Sequence, residues 1–234
     1  RDRHETARTP MPPGADPDHW HARWREDRIG FHQPEVNRLL VKFWPEMVPD
    51  KTADVFVPLS GKSHDMTWLA ERGHHVIGVE LSEIAIAAYF EERGLTPDIH
   101  TEGDHTVSTA GGVELWCGDY FTFPAERLAK IAGVYDRASL IALPQDLRAR
   151  YAKKLAELTP PGAGALLLTL SYDQAEADGP PYSVPDDEVQ SLFSGTFSVE
   201  QRGTRDATEV STNLTAKGVT KVMSSLFTMT RTGG

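Results

Sequence analysis

Residues 53–81 read ADVFVPLSGKSHDMTWLAERGHHVIGVEL, and this stretch decides the fold. Asp54-Val55-Phe56-Val57 is a short run rich in β-formers, of the length that suits a strand buried on both faces of a parallel sheet. Pro58 to Gly61 makes a turn. From Lys62 to Arg72 the apolar Met66, Leu69 and Ala70 recur at helical spacing, and Gly73 is a helix stop. His75 to Leu81 is a second strand, with Glu80 at its C-terminal end. A Gly-containing turn after one strand, with an acid at the tip of the next about 20 residues on, is how a Rossmann-like unit holds a nucleoside. The acid accepts hydrogen bonds from ribose hydroxyls.

Three chemistries compete for the turn. Gly61-Lys62-Ser63 matches the end of a phosphate-binding loop, G-x-x-x-x-G-K-[ST], but Phe56 stands where the first glycine belongs. Without that glycine the backbone N–H groups cannot fold around two phosphates. Gly61-Lys62-Ser63-His64-Asp65 is half of a nucleophile elbow, G-x-S-x-G, with Asp65 in place of the glycine that the cramped turn requires. The third is a site for S-adenosylmethionine. That cofactor has no pyrophosphate, so one close backbone approach, at Gly61, serves its amino-acid end.

The length of 234 residues suits one domain with a substantial core. Acids outnumber bases 34 to 24, and no basic cluster appears, which argues against nucleic acid as a partner. A lone cysteine, Cys117, excludes an internal disulfide framework and any multi-cysteine zinc site. No apolar run approaches the roughly 18 residues of a membrane span, and no apolar segment near the start suggests secretion. The expectation is a cytoplasmic chain, and the absence of extra domains leans towards a monomer. His100 and His105 lack a carboxylate at helical spacing, and His74 and His75 point to opposite faces of a strand, so no metal site is expected.

Arg1 to Pro17 is polar and carries Pro10, Pro12, Pro13 and Pro17, which predicts a disordered leader over 1–17 followed by one domain over 18–234. Met11 lies inside it, so part of the leader reads as non-native sequence. Trp20 and Trp24, four apart in a short helix, share a face. A helix is expected from Pro34 to Trp44, with Val36, Leu39, Leu40 and Phe43 inward and Pro45 ending it. Ser82 caps a helix from Glu83 to Arg93 with Ile84, Ala87 and Ala88 inward. Residues 95–112 are polar and fit a hairpin or a long loop. Further strands are expected at Val113–Cys117, Gly133–Arg137, Ala165–Leu170, 197–202 and 225–230, with helices from Pro144 to Leu158 and Asp186 to Phe193. The sum is an α/β, Rossmann-like fold with a seven-stranded, mostly parallel sheet and helices on both faces.

At the exit of the third strand, Asp119 can accept from an adenine amino group and the backbone of Tyr120 can meet the ring; the competing role for Asp119 is to cap the next turn. Arg137, at the exit of the fourth, needs an anionic partner. Adjacent Asp136 is a poor one, because neighbours on a strand face opposite ways. Tyr172 and Tyr182 follow the most apolar strand and wall a pocket on the same side.

The chain resembles the thiopurine S-methyltransferase family in its bacterial form, on IGFH at 29–32, VPLSGKSHDMTWL at 57–69, GVELSEIAI at 78–86, WCGDYF at 116–121 and YDRASLIALP at 135–144. These motifs keep the family's order and spacing, and the resemblance covers roughly residues 18 to 232. It implies a class I methyltransferase that takes S-adenosyl-L-methionine and releases S-adenosyl-L-homocysteine. It implies cofactor contacts at Trp24, Leu59, Gly61, Glu80, Leu81, Asp119, Tyr120 and Arg137, with Phe31, His32 and Tyr172 at the acceptor. Arg137, or failing it Lys221, would stabilise the acceptor thiolate as the catalytic cation. The acceptor is a small-molecule thiol of the aromatic or heterocyclic kind. Selenium or tellurium oxyanions, small thiols and halides are the alternatives, and a non-catalytic cofactor-binding protein is the reading from another class. Two departures bear on the acceptor. Ser60 stands where many bacterial members have Cys, and the region around Asn213 and Lys221 lacks expected arginines.

Overall fold

Strand β1 (Asp54–Val57) pairs in parallel with β2 (His75–Glu80), Asp54 opposite His75 and Val57 opposite Gly78. A computed structural model describes residues 35–61 and 63–233. The leader over 1–17, the Trp20–Trp24 helix, Phe31 and His32, and Lys62 lie outside the described residues. β5 (Val113–Cys117) extends the parallel pairing beyond β2, while β6 (Gly133–Asp136) and β7 (Gly164–Ser171) extend it beyond β1. β9 (Met223–Arg231) runs antiparallel against β7, and β8 (Phe197–Asp206) closes that edge with an irregularity at Gln201/Gly203.

Among the described residues the sheet has nine strands, in the order β3-β4-β5-β2-β1-β6-β7-β9-β8, rather than the expected seven. The two additional strands, β3 (Asp98–Glu102) and β4 (His105–Ala110), come from the polar stretch that was read as hairpin or loop. They form an antiparallel ribbon that joins the edge of β5. Gly111 and Gly112, both at positive φ, make the tight turn from β4 to β5, the conformation that two-residue hairpin turns demand.

Two layers of core sandwich the sheet, as the alternation of β1 requires. Val55 and Val57 face α1 (Arg38–Met47), α2 (His64–Arg72) and α3 (Glu83–Glu92), while Phe56 faces α5 (Gln145–Leu158) and α6 (Asp186–Phe193). A single turn of helix, α4 (Ser139–Ala142), precedes α5, and α7 (Thr212–Ala216) lies between the last two strands. α1 starts at Asn37, whose side chain accepts from Leu39 and Leu40 N–H, and it runs past Pro45 to Met47. Its deepest residues are Leu40 and Trp44, with Val36, Leu39 and Phe43 at the margin. In α3 the buried face is Ala85, Ile86, Tyr89 and Phe90, so the stripe expected at Ile84, Ala87 and Ala88 is displaced; Ile84 is exposed. The aromatic pair at 89 and 90 decides the rotation, since large rings gain most from burial. No described helix is long and apolar enough to cross a membrane.

Candidate functional site at the C-terminal edge of the sheet

β1, β2, β5 and β6 are neighbours and parallel, so their C-terminal ends open on one edge, where ligands bind in open α/β sheets. This brings the turn at Pro58–Gly61, the tip at Glu80 and Leu81, the exit at Asp119 and Tyr120, and Arg137 to the same side.

The turn is held by the next strand. Ser60 N–H donates to the Val79 carbonyl at 3.0 Å and Gly61 N–H to Glu80 Oε1 at 3.0 Å. Glu80 Oε2 accepts from Ser82 N–H at 2.7 Å, where Ser82 in turn caps α3. Leu59 adopts φ +47, which non-glycine residues rarely tolerate, and Gly61 adopts φ +60. Such strain persists where surrounding contacts hold it, and it gathers at ligand turns. Burial raises the pKa of the Glu80 carboxyl, while the backbone N–H groups of Ser82, Gly61 and Leu81 oppose the shift.

Asp119 does cap the following turn: its Oδ1 accepts from Phe121 N–H at 2.8 Å. The Tyr120 ring is buried, stacked on Tyr151 at 4.8 Å between centroids, and its hydroxyl donates to the Tyr151 carbonyl. Only the backbone of Tyr120 can therefore serve the edge. Tyr151 donates through its hydroxyl to Asp136, whose other oxygen accepts from Ser139 N–H at 3.0 Å. Burial pushes the Asp136 carboxyl up to about 6 against these hydrogen bonds. A chain of contacts thus ties the β5 exit to the β6 exit.

Arg137 donates through Nη1 to Asp65 Oδ2 at 3.2 Å, and Asp136 faces away from it as the strand geometry predicts. Asp65, in the first turn of α2, is 1% exposed and also accepts from Tyr135 Oη at 2.8 Å and from Asn37 N–H at 2.7 Å. Sequence reasoning missed Asp65 as Arg137's carboxylate, taking it only as the residue that spoils a nucleophile elbow. Spacing along the chain gave no signal for it: the first turn of the helix after β1 and the exit of β6 share one edge because β1 and β6 are neighbours in the sheet.

Tyr172 lies after β7, and its hydroxyl donates to the Pro181 carbonyl at 2.7 Å, pinning the loop that Tyr182 also anchors. Its ring packs beside Leu170 and the small cluster of Ala207, Leu214, Val219 and Val222. Lys221 is exposed, two residues before β9. The Cys117 thiol is pushed up to about 11 by burial and by Glu83 and Glu80, so it is a poor nucleophile near neutral pH.

A nucleoside with an amino-acid end fits this donor set. A carboxylate has roughly four acceptor positions, so Glu80 keeps capacity for hydroxyls beyond its bonds to Gly61 and Ser82. Under the turn, Ser60 Oγ is buried without a hydrogen-bond partner among the described residues.

The fold is that of the S-adenosylmethionine-dependent methyltransferases. A Burkholderia thailandensis 1,6-didemethyltoxoflavin-N1-methyltransferase, solved with S-adenosylhomocysteine, superposes with a TM-score of 0.65 at 14% identity, covering 97% of this chain and 94% of that one. A Methanosarcina mazei methyltransferase gives 0.60 at 14% identity, with 86% and 100% covered. Sequence carries the assignment further. Residues 15–232 match the family described as Thiopurine S-methyltransferase (TPMT). A thiopurine S-methyltransferase of Pseudomonas syringae pv. tomato is 44% identical over 92% of this chain and 97% of its own length. That of Methylococcus capsulatus is 44% identical over 88% and 94%. The chain belongs to the thiopurine S-methyltransferase family.

Proposed function

We propose that this chain moves the methyl group of S-adenosylmethionine to the sulfur of an aromatic or heterocyclic thiol. The observation that carries the reading is the clamp in which Glu80 holds Gly61 across the strained turn while keeping acceptor capacity at the strand edge. Membership of the thiopurine S-methyltransferase family supports the reaction class.

When bound, the cofactor supplies an electrophilic methyl on a sulfonium. The protein supplies alignment and exclusion of water. Leu59, Gly61, Glu80 and Leu81 line the cofactor's side of the edge in this proposal, with Asp119 and the Tyr120 backbone at the base. Arg137 is the cation of the edge; it grips an anionic group and favours thiolate over thiol. Such a thiol ionises near neutral pH, so the acceptor needs no strong general base. Among the described residues, the His75–Glu114 pair lies at the opposite, N-terminal end of these strands, and His100–Glu102 lies on exposed β3, two strands beyond β5. Trp24 completes the proposed cofactor contacts, and Phe31, His32 and Tyr172 the acceptor contacts.

Calorimetric titration with S-adenosylhomocysteine, with ATP as control, tests the site. One-to-one binding that Glu80→Ala weakens by about tenfold or more, roughly 1.4 kcal/mol, is expected, with no heat from ATP. Absence of binding would overturn the reading. Methyl transfer to chalcogen oxyanions or halides but to no aromatic thiol would overturn the acceptor class alone.

A further inference from the structure

We infer that Asp65 is a positioning residue for this reaction, acting on the cofactor through Arg137. The inference rests on the reading of Arg137 as a cofactor-binding cation.

Three elements meet on the Asp65 carboxylate. Asn37 N–H reaches Oδ1 from the start of α1, while Tyr135 Oη and Arg137 Nη1 reach Oδ2 from β6 and its exit. The carboxylate is 1% exposed and the Arg137 side chain 18% exposed. A buried charge of this kind needs both a counter-charge and hydrogen bonds to be tolerated, and Asp65 has both. Nothing in packing alone calls for an acid here. The position is the second residue of α2, a turn in which Ser63 already serves as N-cap and accepts from Asp65 N–H. An acid in the first turn gains from the helix dipole, but an exposed one would do that as well.

The chemical consequence concerns Arg137. Its long arm carries rotamer entropy, which a ligand would otherwise have to overcome on binding. The bond from Nη1 to Asp65 fixes one corner of the guanidinium plane in advance. A guanidinium has five N–H donors, and the bond to Asp65 uses one of them. Asp65 therefore prepares Arg137 rather than competing with the ligand for it. Tyr135 donates to the same oxygen.

The test is a double-mutant cycle read by calorimetry with S-adenosylhomocysteine and by cofactor KM against kcat. Asp65→Asn is close to isosteric; it removes the charge and turns one of the two acceptor oxygens into a donor. Asp65→Asn is expected to weaken binding about fivefold to tenfold, raising KM more than it lowers kcat. Arg137→Ala weakens binding at least as much, and the double variant binds like Arg137→Ala alone. Additive losses in the double variant would show that Asp65 acts without Arg137 and overturn the inference. Tighter binding by Asp65→Asn would show competition for Arg137 and also overturn it. Wild-type binding by Arg137→Ala would instead remove the reading of Arg137 itself, which separates the two failures. Should Asp65→Asn fail to fold, Tyr135→Phe decides. It leaves the Asp65–Arg137 bond intact, so binding within about twofold of wild type is expected. A tenfold loss there would assign the effect to packing of the cluster and overturn the inference.

Discussion

The two ends of the parallel strands bury their carboxylates in opposite ways. At the N-terminal end, Glu114 of β5 accepts from Trp116 Nε1 at 2.8 Å and from Arg127 Nη2 at 3.0 Å, with His75 Nε2 at 3.6 Å. Burial works against its charge, yet those three donors outweigh it and hold the carboxyl down at about 2. Beside it, His74 accepts from Trp44 Nε1 at 3.0 Å and shares a hydrogen bond with the Ala53 carbonyl at 2.8 Å. Burial lowers the pKa of His74, and its Nε2, as the acceptor from Trp44, carries no proton. At the C-terminal end, Glu80 and Asp136 are just as deeply placed, but backbone N–H groups and hydroxyls are what meets them, and both carboxyls are pushed up. Asp65 with Arg137 is the matched pair of that edge. The contrast separates an end organised for stability from one whose acids are left under-compensated, the pattern that marks functional sites.

The largest expected effect lies on the C-terminal side of that contrast. Asp136 titrates near 3.8 when exposed and at about 6 here, so the folded protein keeps this proton where the unfolded chain has lost it. Its contribution is unfavourable above pH 6 and vanishes below pH 3.8. In denaturant melts, wild type should therefore gain about 3 kcal/mol relative to Asp136→Asn between pH 7 and pH 3. A pH-independent difference would break the contrast. Next, Trp44→Phe removes buried volume and strands His74 Nε2. It should cost about 2–3 kcal/mol of stability while leaving the affinity for S-adenosylhomocysteine within about twofold.

A change at Glu80 should do the reverse. Glu80→Gln is expected to weaken binding about tenfold, roughly 1.4 kcal/mol, with a smaller effect on stability than Trp44→Phe, because only one of the two backbone N–H groups loses its acceptor. A large drop in midpoint with unaltered affinity would place Glu80 with the structural acids. The smallest effect belongs to Glu114→Gln, about 1 kcal/mol at pH 7, since exposed Arg127 is screened by solvent. The stability that Glu114 contributes is present above its unfolded value of 4.5 and lost as pH falls towards 2. The difference between wild type and variant should accordingly narrow between pH 7 and pH 3.

Much of this was legible in the chain. The pattern from Asp54 to Glu80 fixes strand, turn, helix and strand by period and by glycine placement, and the structure returns those elements within a residue or two. The hairpin of β3 and β4 was also signalled, by Gly103-Asp104 and Gly111-Gly112 at two-residue turn positions. Its polar residues hid it, because β3 is an edge strand exposed along its whole length and has no apolar alternation. The face of α3 was misread for the opposite reason: nearly every residue from Ile84 to Phe90 is apolar, so periodicity could not choose a side.

By itself, the sequence determined the α/β class, the strand–turn–helix–strand order from β1 to β2, the family, and the acid at the strand tip. These depend on local period, turn chemistry and motif order, which survive in one dimension. Tertiary structure alone decided which charges meet. Asp65 and Arg137 are 72 positions apart and Tyr151 and Asp136 are 15 apart; the first pair exists because parallel strands bring their exits to one edge, the second because α5 packs back over β6. Whether a buried acid is compensated, as Glu114 is, or left short, as Glu80 is, depends on the donors that the fold assembles around it. Spacing along the chain does not encode that assembly.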